Sequence, residues 1–401
     1  MSYDVAALRT AFPSLASGTA HFDSPSGTQT PRAVGEAIAR TITGPLSYRG
    51  RLGRSEANAE AAVLRFRKAY AALLNADPAG IVYGRSATQL TYDFSHHLSA
   101  GWGPGDQIVL TRLEHDANVR PWVQAAKRAG ASIRWIDFDP QTGELDLAGG
   151  IALLTDRTRL VAVTAASKLV GTIPPVAQLA SAAHRVGAIV WVDAVHYAAH
   201  HLVDFKELRA DFLVCSPYKF LGPHCAVLAA DPAELEGLRP DKLIPSPDTV
   251  PERFEYGTLP YETLAGATAA VDFLASIDPG PGTTRREHLK HSFASIQAHE
   301  DGLRSWLEEE LLALPGVTCH SRAEHRTPTL LLTVEGRRMA AAYSYLIHQN
   351  VLAPAGSFYA FEPWQRLGLA DPDALRIGLA PYTDAGEAAR LVDGLRTFLQ
   401  Q

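Results

Sequence analysis

Two lysines stand where a predicted strand gives way to a loop, and a lysine in that position can do chemistry that a surface lysine cannot. The chain has seven lysines, and five of them fall on amphipathic helices or in polar segments. Lys168 and Lys219 each follow a predicted strand, and Lys219 lies between Tyr218 and Phe220. A lysine that loses its hydration keeps a neutral amine, which is the form that attacks a carbonyl group. Lys219 is therefore the candidate nucleophile.

An acid and a histidine follow two other predicted strands. Asp193 comes directly after the apolar run 189–192, where a carboxylate is poorly solvated and needs a partner. That partner is either a protonated heterocyclic nitrogen or a structural arginine. His115 follows the strand 107–111 and is a candidate acid–base or ring-stacking group.

Three features could bind anions. The segment 84–89 (GRSATQ) joins a strand to a helix, and a helix N-terminus presents unpaired N–H groups to a phosphate, although the segment also reads as an ordinary capped turn. Arg376 lies inside an apolar strand and binds either a carboxylate ligand or a structural partner. Arg49 and Arg51, in the loop 47–54, either contact a substrate acid or are solvated.

These residues require a sheet that brings the ends of its strands together. Apolar runs alternate with helical segments, which predicts a mostly parallel seven-stranded sheet covered on both faces, with ligands at the carboxyl ends of the strands. We expect strands at 80–83, 107–111, 132–137, 159–164, 188–193, 211–215 and 226–229. The expected division is an N-terminal segment (1–20) that joins the small domain, a large α/β domain (21–265) and a smaller α+β domain (266–401).

Composition excludes several classes of protein. Thirty-seven basic and 43 acidic side chains give a net charge of −6 without runs of like charge, which argues against a nucleic-acid or membrane-surface partner. No apolar stretch approaches the length of a membrane span, and the N-terminus lacks the pattern of a secretion signal. Cys215, Cys225 and Cys319 form no C-x-x-C pair, so we expect a cytoplasmic protein without a metal site.

The order of these features matches the needs of pyridoxal phosphate: a phosphate turn, a histidine, an aspartate, a lysine and a late arginine. The chain resembles the class V aminotransferase and cysteine desulfurase group of fold type I pyridoxal-phosphate enzymes, most closely the branch called cysteine desulfurase-like. The motifs that carry the resemblance span nearly the whole chain: HFDSPSGTQTP (21–31), RLEHDANVRPW (112–122), VDAVHYAAHHLVD (192–204), DFLVCSPYKFLGPH (211–224), RFEYGT (253–258) and LRIGLAPY (375–382).

The resemblance implies a role for each matching residue. Lys219 would bond to the cofactor aldehyde, Asp193 would keep the pyridine nitrogen protonated, and His115 would stack on the ring. His196 would lie near the phenolic oxygen, and Arg376 would bind the α-carboxylate of an amino-acid substrate. The other implied contacts are to the phosphate from Ser86, Ala87, Thr88, Ser216 and Tyr218, to the phosphate across a homodimer interface from Gly257 and Thr258, and to the substrate from Ser26.

Two positions depart from the family pattern. The family's Ser-Asn reads Ser167-Lys168 here, so Lys168 either contacts a substrate carboxylate or points away from the site. The loop that carries the persulfide cysteine of desulfurases reads AGSFYA at 355–360, with Tyr359 in or next to that slot. Tyr359 either lines the substrate pocket or packs at the seam between domains.

The second departure decides the predicted reaction. A desulfurase needs a mobile thiolate, which a phenol cannot replace. We therefore predict a C–S lyase that acts by β-elimination on cysteine or a cysteine S-conjugate. The alternatives are an aminotransferase or decarboxylating oxidative deaminase acting on such a conjugate, a true desulfurase, and, in a different class, a catalytically inactive binding protein with the same fold.

Overall fold

A seven-stranded sheet forms the centre of the protein. The computed structural model describes residues 3–370 and 373–401. The strands of the large sheet lie in the order β2-β8-β7-β6-β5-β3-β4, and β8 runs against the other six. They are β2 (Ile81–Gly84), β3 (Gln107–Thr111), β4 (Ser132–Ile136), β5 (Thr158–Thr164), β6 (Ile189–Asp193), β7 (Phe212–Cys215) and β8 (Ala226–Ala230). The predicted α/β architecture and the mostly parallel sheet are confirmed.

Alternate residues of these strands enter two different cores. Val161 and Val190 pack into one hydrophobic cluster, whereas Leu160 and Trp191 pack into another. Because successive side chains of a strand point to opposite faces, both faces of the sheet are buried. This burial explains why the strands appear in the sequence as continuous apolar runs.

Fifteen α-helices surround and extend the sheet in the described part of the chain. The longest, α12, begins at the capping box of Thr284 and Glu287 and runs for 28 residues. The helices are α1 (Val5–Arg9), α2 (Arg32–Ile42), α3 (Arg54–Leu74), α4 (Ala87–Leu98), α5 (Arg120–Ala129), α6 (Leu147–Ala152), α7 (Val176–Arg185), α8 (Tyr197–His200), α9 (Phe205–Leu208), α10 (Pro232–Gly237), α11 (Tyr261–Ser276), α12 (Arg285–Leu312), α13 (Met339–His348), α14 (Phe361–Leu367) and α15 (Ala385–Leu399).

The C-terminal part has its own sheet and core. An antiparallel sheet is formed by β9 (Val317–Cys319), β10 (Thr329–Val334) and β12 (Leu375–Gly378), in the order β12-β10-β9. A separate parallel pair joins β1 (Ala20–His21) to β11 (Val351–Leu352), so the N-terminal segment contacts the C-terminal part. The expected boundary between residues 265 and 266 lies inside α11, and the division into domains stays a prediction.

None of the helices in the described residues is both long enough and apolar enough to cross a membrane.

Candidate active site

A cavity of about 540 Å³ opens where the parallel strands β2, β3, β5, β6 and β7 end. Parallel strands bring their carboxyl ends to one edge of a sheet, and ligands of open α/β folds bind there. Twelve of the residues singled out from the sequence line this cavity: Ser26, Ser86, Ala87, Thr88, His115, Lys168, Asp193, His196, Ser216, Tyr218, Lys219 and Tyr359.

Lys219 lies in a single helical turn that follows β7, and the side chain is only 4% exposed. Its Nζ donates a hydrogen bond to the carbonyl oxygen of Pro25. Burial and the nearby Arg376 charge lower the pKa of Lys219 to about 7, against an opposing effect of Asp193. A large share of Lys219 is therefore the neutral amine at neutral pH.

Asp193 is the last residue of β6 and lies buried at the base of the cavity. Its Oδ1 accepts one hydrogen bond, from the backbone N–H of Val195 at 2.8 Å. Burial raises the pKa of Asp193, while Val195, Lys219 and Lys168 oppose that rise. A cationic ring nitrogen beside this carboxylate would favour its ionised form.

His115 caps the short turn after β3 through its ring. Its Nδ1 accepts a hydrogen bond from the backbone N–H of Ala117 at 2.9 Å, so the neutral ring carries its proton on Nε2. Burial and the positive charges of Lys168, Lys219 and Arg376 hold the pKa of His115 well below its usual value. The ring can therefore stack and donate from Nε2, and it stays uncharged.

Glu114 anchors the turn that carries His115 through three hydrogen bonds. It was not among the predicted site residues. It is fully buried and accepts hydrogen bonds from Thr111 Oγ1 (2.5 Å), Asn118 Nδ2 (2.6 Å) and the backbone N–H of Thr164 (2.8 Å). Burial raises the pKa of Glu114 to about 8, and these hydrogen bonds oppose the shift. The sequence offered one signal for Glu114, which is that it is next to His115 and shortly follows the buried strand β3.

His196 connects the cavity to the C-terminal sheet. Its Nε2 lies 2.9 Å from Thr327 Oγ1 and 3.0 Å from Thr329 Oγ1. Its buried Nδ1 has no hydrogen-bond partner among the described residues. Burial, together with the charges of His200, Lys219, Arg376 and Lys168, holds the pKa of His196 well below its usual value. A neutral ring with one free nitrogen can bind a polar group of a ligand.

The start of α4 forms one end of the cavity and is suited to bind an anion. Ser86 is the N-cap, and its hydroxyl accepts a hydrogen bond from the backbone N–H of Gln89 at 3.1 Å. Ala87 and Thr88, in the first turn, line the cavity with Ser86. The helix can approach β2 closely because Gly84 has no side chain, since a Cβ there would lie 2.3 Å from Leu90 Cγ. The turn therefore presents helix N–H groups to an anion.

Arg376 lies beneath the cavity and is fully buried. Its Nη2 donates to Ser26 Oγ at 2.6 Å and its Nη1 to the Lys168 carbonyl at 3.3 Å. The Phe358 ring stacks on the guanidinium at 3.7 Å. Nε is buried without a partner among the described residues. The cation is therefore held in place and lacks a carboxylate partner within ion-pair distance.

Lys168 and Tyr359 meet at the mouth of the cavity. Lys168 Nζ lies 6.0 Å from the centre of the Tyr359 ring, and His115 lies at the same distance from that ring. Tyr359 is 79% exposed and has a left-handed backbone with a φ of 59°. Its carbonyl oxygen accepts a hydrogen bond from the backbone N–H of Asp116 at 2.8 Å. The loop around Tyr359 is thereby anchored to the His115 turn.

Besides the buried Arg376, four of the residues singled out from the sequence do not line the cavity. Gly257 and Thr258 are exposed on the surface. Arg49 forms ion pairs with Glu60 (2.8 Å) and Glu252 (2.9 Å), and its contact with a substrate acid stays a prediction. Arg51 is exposed outside the cavity, and its role stays a prediction. The nearby glutamates that neutralise Arg49 could not be paired with it from sequence.

The three cysteines are buried and absent from the cavity lining. Burial raises the pKa of Cys225 to about 12 and that of Cys319 to about 11. The pKa of Cys215 also rises, through burial and the neighbouring Cys225. None of them offers a mobile thiolate to a ligand in the cavity.

The fold and this cavity define a class of enzyme, and comparison with known proteins gives the family. The model of the family "Aminotransferase class-V" matches residues 20–391, so the chain belongs to the class V aminotransferases. A cysteine desulfurase of Pectobacterium carotovorum is 30% identical over 99% of this chain and 98% of its own length. The cysteine desulfurase CsdA of Escherichia coli is 25% identical, with a TM-score of 0.88 over 100% of this chain and 99% of that chain.

The protein is thus a pyridoxal-phosphate-dependent enzyme. A further structure with this fold is a C-DES mutant with glycine covalently linked to its pyridoxal-phosphate cofactor, at 22% identity and a TM-score of 0.79 over 97% of this chain and 98% of that chain. The donor set of the cavity fits such a cofactor. It combines a helix N-terminus for a phosphate, a buried carboxylate for a ring nitrogen, a deprotonated lysine for an aldehyde and the free Nδ1 of His196 for a polar ring substituent.

Proposed function

We propose that the protein is a C–S lyase that releases a thiol from cysteine or a cysteine S-conjugate by β-elimination. Pyridoxal phosphate, when bound, supplies an electron-withdrawing ring that weakens the bonds at the α-carbon of an attached amino acid. The substrate and one water molecule yield the thiol, pyruvate and ammonia. The Cα–H and Cβ–S bonds break, and the electron pair of the C–S bond leaves with sulfur.

The residues that would hold the cofactor lie around the cavity. Lys219 would bind its aldehyde carbon, Asp193 its ring nitrogen, His115 its ring face and His196 its phenolic oxygen. The phosphate would be bound at the start of α4 and beside β7, by Ser86, Ala87, Thr88, Ser216 and Tyr218. The Tyr218 ring stacks on His224 at 5.0 Å, which supports that side of the phosphate site.

Lys219 would accept a proton from the substrate, and Arg376 would orient it. Because the pKa of Lys219 is lowered to about 7, its Nζ can accept the α-proton near neutral pH. Arg376 and Ser26, already joined by a hydrogen bond of 2.6 Å, would orient the α-carboxylate. His115, with its proton on Nε2, would assist the transfer. Tyr359 would line the mouth where the group on sulfur leaves.

The observation that carries this proposal is the absence of a reactive thiol from the cavity. All three cysteines of the chain are buried elsewhere. Tyr359, which the resemblance places in or next to the position of the desulfurase cysteine, lines the mouth of the cavity. A desulfurase transfers sulfur to that thiolate, whereas β-elimination needs only a base and a leaving group. The cavity therefore favours elimination over desulfuration.

A homodimer completes the proposal. Gly257 and Thr258 match a segment that binds the phosphate of the other subunit, and both are exposed outside their own cavity. Tyr256, beside them, is 49% exposed. An exposed glycine–threonine pair of this kind could bind the cofactor phosphate of the other subunit across a two-fold interface.

The test compares products rather than rates alone. Protein with bound cofactor is incubated with S-ethylcysteine and separately with free cysteine, and thiol, pyruvate, ammonia, alanine and carbon dioxide are measured. We expect equal amounts of thiol, pyruvate and ammonia from S-ethylcysteine without an added keto acid, and no turnover with Lys219→Ala. Alanine from cysteine at a comparable rate, abolished in Cys215→Ala or Cys225→Ala, would contradict the proposal. Products that require an added keto acid would assign the enzyme to transamination, and carbon dioxide would assign it to decarboxylation.

A further inference from the structure

The side-chain nitrogen of Lys168 lies at the cavity and lacks a partner in the described part of the chain. Lys168 follows β5, in a turn closed by hydrogen bonds between Ser167 and both Gly171 and Thr172 at 2.8 Å. Arg376 also binds the Lys168 carbonyl. Among the described residues, Nζ makes no hydrogen bond or ion pair, and it lies over the face of the Tyr359 ring, 6.0 Å from the ring centre. A largely buried cation without an anion is costly, so the site is suited to bind one.

The acidic groups around the mouth are already paired. Asp116 binds Arg120 at 2.7 Å, and Glu362 binds both Arg120 and Arg112 at 2.8 Å. Among the described residues that line the cavity, Asp193 is the acidic group without such an ion pair. It lies at the base of the cavity, where it would pair with the ring nitrogen of the cofactor. Burial and the charges of Lys219 and Arg376 hold the pKa of Lys168 well below its usual value, with Asp193 opposing. An anion at the mouth would restore its charge.

The substrate is the source of that anion if the other cations keep their roles. Lys219 would bond to the cofactor and Arg376 would take the α-carboxylate, which leaves Lys168 unassigned. We propose that Lys168 binds a second carboxylate, carried on the substrate's sulfur substituent and placed beside the Tyr359 ring. The inference rests on the proposed function and names its substrate class, which is a cysteine S-conjugate with an acidic substituent.

Matched conjugates test the charge preference. S-(2-carboxyethyl)cysteine and its neutral amide, S-(2-carbamoylethyl)cysteine, have nearly the same size. We expect kcat/KM of the wild type to favour the acid by about tenfold or more, as for a charge-assisted contact. Lys168→Met should remove the preference, Lys168→Arg should keep most of it, and Lys127→Met, which changes an exposed lysine of α5, should keep all of it. Equal kcat/KM values in the wild type would overturn the inference.

Binding of unreactive acids tests the same inference when no conjugate is turned over. Glutarate has two carboxylates and glutaramate has one carboxylate and an amide, and their dissociation constants are measured by calorimetry with the cofactor-loaded protein. We expect glutarate to bind more tightly to the wild type and equally to Lys168→Met. If Lys168→Met weakens the binding of both ligands to the same extent, Lys168 binds the carboxylate that the two ligands share and the inference is wrong. Failure of the lyase assay together with the expected glutarate preference would reject the reaction and retain the second anion site.

Discussion

Burial, together with the positive charges that crowd the cavity, explains why its bases are uncharged. Lys219 and His115 both have lowered pKa values, and Arg376 contributes to each shift. Burial is the larger cause in both residues, because the charged form loses its hydration. The cavity thus prepares a neutral amine beside a neutral imidazole without a carboxylate bound to either. This is a suitable state for a lysine that must attack an aldehyde.

The rate at which the cofactor-free protein couples to pyridoxal phosphate should depend on the Lys219 amine. Because only the unprotonated form attacks, the rate should rise with pH and reach half its maximum near the Lys219 pKa of about 7. In Arg376→Met the midpoint should move to higher pH, since a positive charge that disfavours protonation is lost. The rate is followed by the change in cofactor absorbance in stopped flow.

Arg376→Lys is the control, because it keeps the charge and should keep the midpoint. The cofactor's own titration is common to all three proteins, so differences between them report on Lys219. A midpoint near the pKa of free lysine in the wild type would contradict the assigned environment.

Glu114 should matter for stability and for the placement of His115. Replacing it with alanine leaves three buried donors without an acceptor, so Glu114→Ala should lower the free energy of unfolding by about 3 kcal/mol. Glu114→Gln keeps one carbonyl oxygen and should cost about 1 kcal/mol. Denaturant unfolding of the two variants measures both losses. Equal, small losses would show that the three hydrogen bonds do not stabilise the turn.

At the scale of elements, the approach of α4 to β2 would set the position of the proposed phosphate site. Gly84→Ala would place a methyl group 2.3 Å from Leu90 Cγ, so α4 would have to move away from the strand. A displaced helix N-terminus should bind pyridoxal phosphate at least about tenfold more weakly. Equilibrium titration of the cofactor measures the change. Adding Leu90→Ala makes room and should recover part of the affinity, and no recovery would reject the steric explanation.

At the scale of the whole molecule, the proposed homodimer needs exposed apolar side chains that a second subunit could cover. Leu52 is 98% exposed and Ile244 is 99% exposed, so both are candidates for the interface of the proposed dimer. We expect a dimer by light scattering, and Ile244→Asp should weaken it. Ile347→Asp, on α13 and 42% exposed, should leave the mass unchanged.

A substitution at Thr258 distinguishes formation of the dimer from binding of the cofactor phosphate across its interface. Thr258→Val should leave the dimer intact but weaken cofactor binding about tenfold, through the loss of one hydrogen bond to the phosphate. A wild-type monomer with full cofactor affinity would contradict the shared site.

The sequence predicts the part of the site that lies at strand ends. Lys219, Asp193 and His115 stand where apolar runs stop, and parallel strands bring such positions together. The partners of His196 could not be predicted, because Thr327 lies 131 positions away, just before a strand of the C-terminal sheet. The ion pair of Arg49 could not be predicted for a similar reason, since Glu252 lies 203 positions along the chain. Local pattern indicates which groups face a ligand, and long-range packing decides which of them remain free.

The central claim is that this cavity holds pyridoxal phosphate through Lys219, and one measurement tests it directly. The cofactor-loaded protein is treated with borohydride, which makes the bond between lysine nitrogen and cofactor carbon permanent, and its peptides are identified by mass spectrometry. We predict that the added mass lies on the peptide containing Lys219 and is absent from the peptide containing Lys168. Added mass on Lys168, or on neither lysine, would contradict the account.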